Sequence, residues 1–82
     1  MSVREQILCA AINHFGPGAQ QIKAIEELSE LIQALAKSDR DNIAEEMADV
    51  RIMLEQLMMA FDLHLKVEDW EAKKVARLEN NL

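Results

Sequence analysis

The chain has 82 residues, half of them hydrophobic and 29% charged, with a formal net charge of −6. This length fits one small domain, residues 1–82, and the composition argues against a disordered chain. The acidic balance argues against a general nucleic-acid binder, whose footprint would be basic.

Two glycines, one proline and an excess of Ala, Leu, Ile, Met and Glu predict an all-α fold. A first helix is expected over about residues 3–13, with Ile7, Leu8, Ala11 and Ile12 apolar. His14-Phe15-Gly16-Pro17-Gly18 breaks it, and Pro17 suits the first turn of a second helix reaching about residue 36 or 37. The next break spans residues 38–42, with Asp41 or Asn42 as the N-cap of a third helix. That helix should extend to about Leu63, and after a connection through Lys66 a fourth should run from residue 67 or 68 to Asn80. No apolar run is long enough to span a bilayer and no signal-peptide pattern opens the chain. Cys9 has no disulfide partner and no metal-ligand spacing, so a cytoplasmic setting is expected.

Helical wheels place Ile22, Ile25, Leu28, Ile32 and Leu35 on the main apolar stripe of the second helix. Glu27 and Glu30 lie off that stripe, beside Lys23 and Ala34. On the third helix, Ile43, Met47, Val50, Leu54, Leu57 and Phe61 form the stripe, with Glu46 inside its arc and Asp49 on its edge. A carboxylate in an apolar stripe costs several kcal/mol unless it is paired or metal-bound. The opposite side of this helix carries Ala48, Ile52, Met59 and Leu63. A helix apolar nearly all round is buried nearly all round, so that second line is expected to meet another subunit in a homo-oligomer.

Two acidic clusters, residues 25–31 and 44–50, each repeat a carboxylate at i and i+3. Residues three apart share a helix face, so two neighbouring helices would aim Glu27, Glu30, Glu46 and Asp49 at one volume. Either cluster alone also reads as a solvated helix face. Together they fit a hard divalent cation, Mg²⁺ first and Mn²⁺ second. Neither His14 nor His64 follows a glutamate at the Glu-x-x-His spacing of di-iron bundles, which favours an all-oxygen, non-redox site. His14 lies in the glycine-bordered turn, where it could contact a nucleotide base with Phe15 and Gln20. On the fourth helix Trp70, Lys73, Lys74 and Arg77 share a broad face. That face reads either as a solvated amphipathic surface or as a basic strip holding phosphate oxygens.

Glu26-Glu27-Leu28-Ser29-Glu30 followed by Glu45-Glu46-Met47-Ala48-Asp49 resembles the paired E-E-x-x-E and E-x-x-D motifs of the MazG-like all-α nucleoside triphosphate pyrophosphohydrolases. Gln20-x-x-Lys23 before the first motif and residues 52–57 after the second agree, and the wording is close to compact phage and bacterial members. The resemblance covers about residues 15–77. It implies a four-helix bundle-like protomer, assembly as a homodimer or homotetramer, and Mg²⁺-dependent hydrolysis of NTP or dNTP to the monophosphate and pyrophosphate. It assigns Glu27, Glu30, Glu46 and Asp49 as metal ligands, Glu26, Glu27 and Glu30 as catalytic acidic groups, and Lys73, Lys74 and Arg77 as phosphate contacts. It also implies the cytoplasm of a bacterium or phage-infected cell. A phosphoribosyl-ATP pyrophosphohydrolase shares this acidic logic, but Asp49-Val50-Arg51-Ile52-Met53 departs from its E-x-x-D-L-x-Y-H pattern. A non-catalytic helical interaction module is the alternative from a different class.

Overall fold

A computed structural model describes residues 1–82 as four helices and no strand. The first, α1 (Val3–Phe15), opens on a reciprocal cap. The Ser2 hydroxyl accepts the Glu5 N–H at 3.1 Å, and the Glu5 carboxylate accepts the Ser2 N–H at 3.1 Å. These bonds hold the Glu5 carboxyl below its ordinary pKa. Gly16, at φ 91°, turns the chain into α2 (Pro17–Lys37), with Pro17 in the first turn as expected.

The cap of α3 (Arg40–Ala60) differs from expectation. Asp39, rather than Asp41 or Asn42, accepts the Asn42 N–H at 3.2 Å. Ser38 takes a left-handed φ of 58° and ends α2 within one residue, so the connection is only Ser38 and Asp39. α3 also stops short of Leu63. Asp62 turns left-handed at φ 54°, and the Leu63 N–H donates back to the Met58 carbonyl at 2.9 Å. The last helix, α4 (His64–Asn80), therefore begins about one turn earlier than the sequence suggested.

The main interface is the antiparallel hairpin of α2 and α3, against which α1 packs on both helices. Arg4 clamps α1 to α3 through two bonds to Glu55, at 3.0 and 3.1 Å. α4 touches only α3. The radius of gyration is 14.8 Å, against roughly 12 Å for a compact domain of this length. The protomer is open.

On α2 the face turned to α3 carries Gln20, Ala24, Glu27 and Ala34, all buried, with half-buried Leu31 between them. Small residues let the two backbones approach closely. Val50, Met53 and Gln56 are buried on α3. The large residues of the α2 stripe lie elsewhere. Ile22, Ile25, Leu28, Ile32 and Leu35 are exposed, as are Met47, Leu54 and Phe61 of α3. Ile52, Met59 and Leu63 are instead half-buried, Ile52 bordering α1 and Met59 bordering both α1 and α4. The uncovered apolar surface of the protomer is therefore the α2 stripe together with Met47, Leu54 and Phe61 of α3, while the second line of α3 is partly covered within the protomer, apart from exposed Ala48.

Candidate metal centre

The hairpin sets its polar residues in layers. Gln20 faces Gln56, Glu27 faces Asp49, and Glu30 faces Glu46. The i, i+3 spacing on each helix stacks the two acidic layers one turn apart. Glu27, Glu46 and Asp49 each bring a carboxylate oxygen within 4.8 Å of the others. Lys23 meets the cluster from one side, its Nζ 3.1 Å from Glu27 Oε1.

Charges this close oppose one another, and the surroundings add to the cost. Loss of solvent, then the nearby Glu30 charge, raises the Glu46 pKa above the ordinary glutamate value. Loss of solvent, then Glu27, raises Asp49 likewise. Glu27 Oε2 and Glu46 Oε2 are buried with no hydrogen-bond partner at all. Buried carboxylate oxygens are normally satisfied. An oxygen-only donor set with two orphaned, converging lone pairs fits a hard divalent cation.

The other residues singled out in the sequence are more dispersed. Glu30 is exposed and stands at the rim, where it faces Glu46 without joining the tight trio. Glu26 lies outside the trio, with its side chain 60% exposed and 3.8 Å from Lys23, on the wall of the cleft that Gln20 also borders. Lys73, Lys74 and Arg77 lie exposed on α4, which does not contact α2. Lys73 and Lys74 sit 4.9 and 6.0 Å from the centroid of the Trp70 ring rather than near the carboxylates. His14 is exposed and meets Phe15 edge to face, with ring centroids 4.6 Å apart. Phe15 and Gln20 border one cleft of about 530 Å³. Gln56 was not singled out, although its position seven residues after Asp49 mirrors that of Gln20 seven before Glu27.

The fold is thus an all-α helical domain with an acidic, oxygen-donor cluster between its two long helices. The chain belongs to the MazG nucleotide pyrophosphohydrolase domain family, which it matches over residues 19–80. That span includes Glu27, Glu30, Glu46 and Asp49. Nothing among curated proteins or solved structures matches the chain.

Proposed function

We propose that the chain hydrolyses nucleoside or deoxynucleoside triphosphates to the monophosphate and pyrophosphate, with Mg²⁺ as its cation and Mn²⁺ as a substitute. The observation that carries this reading is the pair of buried, partnerless oxygens on Glu27 and Glu46 beside Asp49. Glu27, Glu46 and Asp49 would hold the cation, with Glu30 completing the set from the rim. When bound, a divalent cation there neutralises triphosphate charge and acidifies water.

The side chains then divide the remaining work. Water attacks the α-phosphorus, the bond from that phosphorus to the bridging oxygen breaks, and pyrophosphate departs. Glu30 is exposed and able to orient the water and accept its proton, whereas Glu27 is buried and already paired with Lys23. Lys23, whose Nζ lies 3.1 Å from Glu27 Oε1, would supply an ammonium beside the centre for a phosphate oxygen. Glu26 stands with Lys23 on the wall of the cleft beside Gln20 and acts there rather than on the cation. A phosphate role for Lys73, Lys74 and Arg77 depends on a second copy, because their helix stands clear of α2.

The exposed α2 stripe supports a homodimer or homotetramer. No helix is long and apolar enough to cross a membrane, and a cytoplasmic setting suits the free Cys9. The test is purified protein with Mg²⁺ and a panel of dNTPs. Pyrophosphate, not orthophosphate, is the expected product, and Glu46→Gln should abolish its release with the helices intact by circular dichroism. Full activity in that variant would overturn the ligand assignment, and no turnover by the parent protein would favour a non-catalytic module.

A further inference from the structure

Gln20 and Gln56 are both buried, at 7% and 5% exposure, in the middle of the α2–α3 interface. Burying an amide is unfavourable unless its hydrogen bonds are made. Only one is made between them, from Gln20 Nε2 to Gln56 Oε1. Gln20 Oε1 and Gln56 Nε2 have no protein partner, yet neither is sealed away as Glu27 Oε2 and Glu46 Oε2 are. Both atoms therefore keep access to open space. The space the two amides share is the 530 Å³ cleft, large enough for a small ligand, and Lys23 lies on its wall. Gln56 also borders a cleft under α1, but Gln20 and Lys23 do not.

We infer that this cleft holds the nucleobase of the substrate and that Gln20 and Gln56 read its edge together. The inference rests on the triphosphate reading above. Lys23 joins the cleft to the acidic centre, since it lines one and pairs with Glu27 in the other. Seven residues separate Gln20 from Glu27 and Asp49 from Gln56, a rise of ~10 Å along the helix axis. That span suits a sugar placed between the phosphates and the base. Phe15, 60% exposed, and buried Met53 supply the apolar walls on which a base stacks.

The pair presents one acceptor and one donor side by side, which complements the adjacent donor and acceptor of a base edge. It is also reversible. If Gln20 turns its amide over, two carbonyl oxygens would meet unless Gln56 turns as well. The joint turn keeps the bond between them and reverses the order offered to the cleft. One order suits adenine and cytosine; the other suits guanine and thymine. The site thus requires a base edge but accepts all four.

The test measures binding, not turnover, using non-hydrolysable analogues of the four dNTPs and a baseless deoxyribose triphosphate, all with Mg²⁺. The parent protein should bind the four within about tenfold of one another, and the baseless compound at least about tenfold more weakly than the average of the four. Gln56→Glu leaves two acceptors facing the cleft and should favour the guanine analogue, whose N1–H and N2–H2 are adjacent donors, over the other three, with Gln20→Glu as a second variant. Equal binding of the baseless compound, or unchanged base order in both folded variants, would overturn the inference. Base-dependent binding without pyrophosphate release would instead sink the hydrolase reading and leave the cleft assignment standing.

Discussion

Lys23 lies one turn before Glu27 on α2 and holds its carboxylate at 3.1 Å, so the acidic centre carries a cation of its own. The bond to Glu27, and then that residue's charge, raises the Lys23 pKa. An incoming divalent ion must compete with this ammonium. Lys23→Met should therefore lower the melting temperature of the metal-free protein, because the carboxylates lose their one neutralising partner. Titration calorimetry should show Mg²⁺ binding several-fold more tightly to the variant. Weaker binding would mean that Lys23 organises the ligands rather than opposing the ion.

The raised carboxyl pKa values predict a pH dependence whose sign is unusual for acidic residues. Glu46 and Asp49 hold protons more tightly in the folded state than in the unfolded one. Their contribution is greatest below the unfolded values, near ~4, and is lost as pH rises through the higher folded values. Metal-free protein should thus lose melting temperature against Glu46→Gln on going from about pH 4 to neutral. Saturating Mg²⁺ should remove that deficit in the parent and do little for the variant. Parallel pH profiles with and without Mg²⁺ would contradict this account.

The bare face of α2 gives a third expectation. Ile32 is 67% exposed and sits among Ile25, Leu28 and Leu35, which are also exposed. A patch of this kind on so small a chain marks an association surface. Sedimentation should show the parent as an oligomer and Ile32→Glu as a monomer with the same helical content. A monomeric parent would remove the basis for subunit contributions from α4.

Ser38 occupies the left-handed region at φ 58°, a conformation that glycine adopts without steric penalty. Ser38→Gly should stabilise the hairpin by about 0.5–1 kcal/mol in denaturant titration, relief of strain exceeding the added entropy of the unfolded chain. Destabilisation there would show that the serine side chain has a role beyond its backbone.

Helical content and the ordered acidic motifs were legible in the sequence because periodicity and Pro17 are local signals. The choice of buried face on α2 was not. Hydrophobicity singled out Ile22, Ile25 and Ile32, whereas close approach of two backbones selects Ala24 and Ala34, the latter at 0% exposure. The same misreading placed Glu27 off the core, although it is buried at the heart of the hairpin. Gln56 escaped notice because an uncharged amide carries no spacing signal until its cross-helix partner is known. Helix ends at Asp39 and Asp62 depended on left-handed backbone at Ser38 and Asp62, which residue type alone only weakly announces.

The link of Ser38 and Asp39 acts as a gauge for the whole hairpin. One inserted residue taken up into α3 would swing that helix by about 100° relative to α2, carrying Gln56, Asp49 and Glu46 out of phase with their counterparts in a single stroke. Most surface turns accommodate a change in length. This one does so only while the added residue stays out of both helices.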